Sequence, residues 1–131
     1  MKTKNYLGRL IILVHDYDKA SEFYEKNFGF RKIFDETTGG RRFLHLGTDP
    51  LDTFGIWFIR AEGADQTARV GNQTNGQPVM VIYTTSLVEQ YEQLEKNGVT
   101  VSVKPVLTAD YKFLHCLDLY GNEIVVVELK Q

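Results

Sequence analysis

The phrase Phe-Leu-His occurs twice in this chain, at 43–45 and at 113–115, an offset of 70 residues. In each copy it leads through turn-forming residues into an apolar stretch. The later copy runs Phe113-Leu114-His115-Cys116-Leu117, then Asp118-Leu119-Tyr120-Gly121-Asn122, then Ile124-Val125-Val126-Val127. This reads as strand, tight turn, strand. Asp118 can accept a hydrogen bond from the backbone two residues on, and Gly121 can take a positive φ. The flanks are β-branched and aromatic residues that suit a pleated, half-buried surface. The earlier copy passes from His45 through Asp49-Pro50 and Asp52 to Gly55-Ile56-Trp57-Phe58-Ile59. A chain that uses one unit twice is expected to place its site where the two copies face each other.

The residues upstream of each copy repeat as well. Leu10 to Val14 is an apolar run of strand length. Asp16 or Asp18 can cap the helix that follows, whose stripe is Ala20, Phe23, Tyr24 and Phe28 and whose stop is Gly29. Phe30 to Phe34 reads as a strand and Glu36 to Gly40 as a turn. In the second unit Val79 to Tyr83 is the strand, and Ser86 with Glu89 forms a capping box. Leu87, Tyr91 and Leu94 share a helical face that ends at Gly98, and Val99 to Val103 is a strand broken by Lys104-Pro105. Glu-Lys-Asn precedes the stop in both helices, at 25–27 and 95–97. The order is βαβββ twice, in modules of roughly 6–62 and 78–130 within one domain spanning 1–131. Between them, 63–78 is polar and rich in Gly, Asn and Gln. It is long enough to be a lid or only a connector.

Composition narrows the function. The chain has 131 residues and a net charge of −2, with no cluster of basic residues interleaved with aromatics, which argues against a nucleic-acid partner. No apolar run approaches the roughly 20 residues of a membrane span. Basic residues near the N-terminus precede no long apolar stretch, so no signal peptide is read. The single cysteine, Cys116, leaves no intramolecular disulfide and points to a reducing, cytoplasmic setting. Cys116 and His115 are strand neighbours and should face opposite ways, so they are not read as a nucleophile pair. His15, in the first strand-to-helix turn, is read as a surface residue.

Two βαβββ units, a helix reading Val14-x-Asp16-x-x-Lys19-Ala20-x-x-Phe23-Tyr24 and continuing to Phe28-Gly29-Phe30, and the hairpin Asp118-x-x-Gly121-Asn122-x-Ile124 resemble the vicinal oxygen chelate superfamily of glyoxalases, bleomycin-resistance proteins and extradiol dioxygenases. The resemblance covers essentially the whole chain. It implies an α+β fold in which the modules form a curled mixed sheet around an open cup, with the helices on the convex face. It also implies metal positions on the first and last strands of each module, which here fall on Arg9, Trp57, Val79 and Val125. Arginine stays protonated and donates no lone pair, and the other three side chains offer no metal donor. A two-residue shift in register would bring in Gln77 or Glu123, both at the turn ends of their strands. No metal and no other cofactor is therefore expected.

Strand alternation and the resemblance place Arg9, Phe43, Trp57, Val79, Phe113 and Val125 around a ligand, together with His45 and His115. That is an apolar, aromatic pocket with one fixed cation, suited to a planar or anionic small molecule. The expected function is metal-independent small-molecule binding of the bleomycin-resistance kind. One alternative is an enzyme, lyase, isomerase or dioxygenase-like, using His45 or His115 as general base while Arg9 steadies an oxyanion. A second is a divalent-metal enzyme with its ligands in another register. Each histidine also has a plain packing reading. The resemblance further implies a homodimer. Light scattering should give a mass near twice 15.0 kDa, and a monomer across micromolar concentrations would contradict it.

Overall fold

The structure, a computed structural model, describes residues 2–48 and 54–130. The expected turn through Asp49-Pro50 and Asp52 lies outside the described residues. The fold is α+β with two βαβββ modules, and the chain divides by compactness between Ala61 and Glu62, each unit containing one module.

The first module comprises β1 (Arg9–Val14), α1 (Tyr17–Phe28), β2 (Arg31–Thr38), β3 (Arg41–Gly47) and β4 (Gly55–Arg60). Its sheet runs in the order β1-β4-β3-β2, with β1 parallel to β4 and the other ladders antiparallel. Asp16 caps α1, its carboxylate accepting from the Lys19 amide at 3.0 Å, and the helix ends at Gly29. The helix buries Tyr24 against Phe58 of β4, ring centroids 5.7 Å apart. Ile12, Val14, Leu44, Leu46, Ile56 and Phe58 share that core face, all at most 1% exposed. Arg42 binds both Asp35 oxygens at 2.9 Å and Asp18 at 3.0 Å, tying the helix start to the sheet. That bond to the guanidinium holds the Asp35 carboxyl below its ordinary range.

After a short helix α2 (Gly63–Thr67), the second module comprises β5 (Met80–Thr84), α3 (Leu87–Lys96), β6 (Val101–Leu107), β7 (Lys112–Leu117) and β8 (Glu123–Glu128). The strand order is β5-β8-β7-β6, the same pattern as the first sheet. Leu87 and Leu94 of α3 are fully buried, as are Leu114, Cys116, Ile124 and Val126. Burial raises the Cys116 thiol to about 12, with Asp118 and Glu123 adding to the shift.

Several boundaries differ from the sequence reading. The turn expected at Glu36–Gly40 shrinks to Gly39-Gly40, which take φ of 60° and 76°, so β2 continues to Thr38. Two consecutive positive-φ residues make a tight hairpin whose twist matches its strands. Val79 precedes β5, although its amide still donates to the Glu123 carbonyl at 2.9 Å. The segment read as structureless contains α2. Pro105 does not break β6. It sits on the outer strand, where a register shift between Val103 and Val106 leaves the ladder interrupted, and an edge strand tolerates the missing N–H. The capping box is half formed. The Ser86 hydroxyl accepts from the Glu89 amide at 3.2 Å, but the Ser86 amide donates to Thr84 Oγ1. The Leu87 amide donates to Glu128 instead, 2.8 Å away.

The organising hairpin is built as expected. Asp118 Oδ1 accepts from the Tyr120 amide at 2.8 Å and the Asn122 amide at 3.0 Å, while Oδ2 accepts from Asn122 Nδ2 at 2.9 Å. Gly71 packs its backbone on this turn so closely that a Cβ there would lie 1.8 Å from the Tyr120 carbonyl oxygen. Asp118→Ala would remove the acceptor of all three bonds, two of them from Asn122, which is 2% exposed. Urea denaturation should show a loss of about 2–4 kcal/mol. Asp118→Asn, which keeps an acceptor, should lose less.

Candidate functional site

One helix covers only one face of each sheet. On the other face of the first sheet, pairing alone sets which residues appear. Trp57 pairs with Ile11 and with His45, and Arg9 lies two residues before Ile11, so Arg9, Trp57 and His45 share this face. Phe43, two residues from His45, joins them. Bulges that could have turned a histidine over fall elsewhere. The β3–β4 and β7–β8 ladders are unbroken, and the shifts lie in the outer ladders.

The side chains on this face touch one another. His45 lies 5.5 Å from Trp57 and 5.3 Å from Phe34, centroid to centroid, and Phe43 lies 6.2 Å from Trp57. Arg41 sits 5.3 Å above the Phe43 ring. Arg9 reaches His45 across the whole width of β4. Its strand partner is Gly55, which faces Gly47 on the next strand, so no side chain stands in the way. Any side chain at Gly55 would also strike the Leu46 carbonyl oxygen, 2.1 Å from the Cβ position.

Arg9 Nε donates to His45 Nδ1 at 3.1 Å, and Nη1 donates to the Gly8 carbonyl at 2.6 Å. Arginine has no acceptor, so Nδ1 must hold the lone pair and the neutral ring carries its proton on Nε2. Nε2 is buried without a hydrogen-bond partner. Burial first, and the Arg9 charge second, lower the His45 pKa below its ordinary 6.5. His45 is therefore a neutral N–H donor whose second nitrogen is already occupied. Arg9 meets no carboxylate among the described residues.

On the helix-free face of the second sheet, His115 pairs with Val125 and Phe113 with Val127. Phe113 and His115 are 5.8 Å apart, centroid to centroid. Val79 extends the same face beyond β5, where Val81 and Tyr83 are 55% and 67% exposed. Cys116 points the other way, into the core. The structure thus brings Arg9, Phe43, His45 and Trp57 together in one module and Val79, Phe113, His115 and Val125 in the other.

Two residues at these faces escaped the sequence reading. Phe34 reaches His45 because the ladder slips between Lys32 and Phe34, a bulge that no pattern in the chain announces. Glu123 stands at the turn end of β8, yet its Oε2 lies 3.2 Å from His115 Nδ1. It is the diagonal neighbour of His115 across the β7–β8 ladder, within reach of a long side chain. Spacing from the hairpin glycine could have revealed that relation.

The four positions at which the resemblance implies a metal do not fit one. Arg9, Trp57, Val79 and Val125 supply no donor, the Nδ1 lone pair of His45 is taken, and no group of three or more His, Cys, Asp or Glu suited to a metal occurs among the described residues.

The model of the Glyoxalase/Bleomycin resistance protein/Dioxygenase superfamily matches residues 6–126, and the chain belongs to that superfamily. It is 27% identical to the Bacillus subtilis (strain 168) protein YurT over 120 residues, 89% of this chain and 94% of that one. Among solved structures, UcmS2 superposes with a TM-score of 0.82 at 24% identity, covering 95% of this chain and 98% of UcmS2. TnmS3, an antibiotic binding protein from Streptomyces sp. CB03234, gives a TM-score of 0.79 at 19% identity, covering 99% and 100%. At these identities the two structures speak for the fold alone.

The state of His45 has a consequence for stability. With its folded pKa below the unfolded value, the native state binds the proton less well. The associated stability is full above about 6.5 and falls as the pH drops through that value. In NMR titrations His45 should titrate below 6.5, and Arg9→Met should raise it only part of the way, because burial remains. His45→Gln should flatten the acid limb of Tm against pH below 6.5. An unchanged limb would mean that His45 titrates normally.

Proposed function

We propose that this protein is a metal-independent small-molecule-binding protein that holds a planar ligand bearing an anionic group. The observation that carries the reading is Arg9: a guanidinium bonded to His45, whose ring lies against Phe34 and Trp57, with no carboxylate partner among the described residues. A weakly hydrated planar cation on a face that also carries aromatic side chains suits a carboxylate or phenolate on a flat ring. His45 holds the guanidinium through its Nδ1, 3.1 Å from Arg9 Nε. Val79, Phe113 and Val125, with His115, offer a second apolar surface. That TnmS3 is an antibiotic binding protein of the same fold agrees with sequestration rather than turnover. A reducing cytosol suits the lone, buried Cys116.

The enzyme reading loses one of its two candidate bases. His45 has its Nδ1 lone pair engaged and a proton on a buried Nε2, so it cannot abstract a proton there. The metal-enzyme reading needs donors that the four strand positions lack.

Trp57 is the sole tryptophan and stands on the proposed surface, so its emission reports occupancy directly. Aromatic carboxylates titrated into chelator-treated protein should quench it. Arg9→Met should weaken binding roughly tenfold or more, the equivalent of about 1.4 kcal/mol, with Arg9→Lys intermediate. Binding that appears only after a divalent metal is restored would replace this reading with the metal enzyme.

A further inference from the structure

The two repeat-related histidines are held in opposite senses. His45 accepts from Arg9 through Nδ1. His115 meets a carboxylate through the same atom, 3.2 Å from Glu123 Oε2. An ionised carboxylate only accepts, so Nδ1 of His115 carries the proton and the neutral ring leaves its lone pair on Nε2. The Ser102 hydroxyl donates to the same Glu123 oxygen at 3.4 Å, helping to fix the carboxylate. No hydrogen-bond partner of His115 Nε2 occurs among the described residues. The side chains of His115 and Glu123 are 24% and 25% exposed, open enough to be approached. Across the ladders His115 faces Val103 and Val125, and Glu123 and Tyr83 are the titratable residues that strand parity puts on this face.

We propose that His115 and Glu123 form a proton-accepting dyad for a weakly acidic hydroxyl, phenolic or enolic, while His45, its Nδ1 lone pair taken by Arg9, accepts no proton. The ligand O–H bond breaks heterolytically, and its proton passes to Nε2 of His115. The electron pair stays on the ligand oxygen, and the imidazolium lies between that oxyanion and the Glu123 carboxylate. A carboxylate behind a histidine fixes the orientation and tautomer of the ring and leaves the Nε2 lone pair as the acceptor for this transfer. Nothing is oxidised or reduced. The repeat has kept the histidine and changed what stands behind it, a cation in one module and an anion in the other. The proposal rests on the small-molecule reading, but its first test is made on the free protein and so fails or succeeds separately.

Long-range proton–nitrogen NMR at alkaline pH, with the three histidines assigned by His→Gln variants, reads the tautomers directly. His45 should carry its proton on Nε2 and His115 on Nδ1. Glu123→Ala should return His115 towards the Nε2–H form without changing His45. A wild-type His115 with its proton chiefly on Nε2 would overturn the dyad. The second test adds 4-nitrophenol just below its own pKa, where the visible phenolate band reports proton transfer. The wild type should enhance the band, and His115→Gln and Glu123→Ala should lose the enhancement. No binding of this phenol, or binding with no phenolate band, would overturn the proton-accepting role even if aromatic carboxylates still quench Trp57.

Discussion

Each four-stranded sheet has two faces and a single packing helix. That shortage decides what the rest of the chain can do. Alternation along β3 and β4 sends Leu44, Leu46, Ile56 and Phe58 under α1, all at most 1% exposed, and puts Phe43, His45 and Trp57, each half-buried, on the face without a helix. The second sheet repeats the division with Leu114, Cys116, Ile124 and Val126 against Phe113, His115 and Val125. A face that carries large aromatic groups and no helix is poorly suited to water alone. The functional reading begins from that imbalance rather than from any single motif.

Much of this was legible in the chain. Short runs such as Leu10–Val14, the caps Asp16 and Ser86, the stops at Gly29 and Gly98, and the Asp118 turn each depend on local chemistry. Local chemistry is what a sequence states most directly. The repeat then tied parity in one module to parity in the other, so the faces of His45 and His115 followed. What escaped depends on pairing between distant strands. The slip that brings Phe34 to His45 is one case, and the strand that continues through Pro105 is another. The Glu123–His115 contact is a third, because the direction of a long side chain is set by its neighbours rather than by its place in the strand.

Arg9 shows how one substitution redirects a fold. In a position where the superfamily resemblance implies a metal ligand, a guanidinium brings a permanent positive charge without an ion. It also fixes the protonation of its neighbour: by donating to His45 Nδ1 it settles which nitrogen carries the hydrogen. The crossing over Gly55 that allows this contact requires the absence of a side chain on β4. The electrostatics of the face therefore depend on a glycine with no charge of its own.

Pro105 carries an implication beyond its own strand. An outer strand is a row of unsatisfied donors and acceptors onto which a foreign chain can add. In β6 that row is interrupted twice by register shifts, and Pro105 lacks a donor. A neighbouring molecule seeking to extend the sheet meets a broken register and a missing donor. The lost ladder bond is a small cost against aggregation, and this edge is a safe place for a protein to end its sheet in a crowded solution.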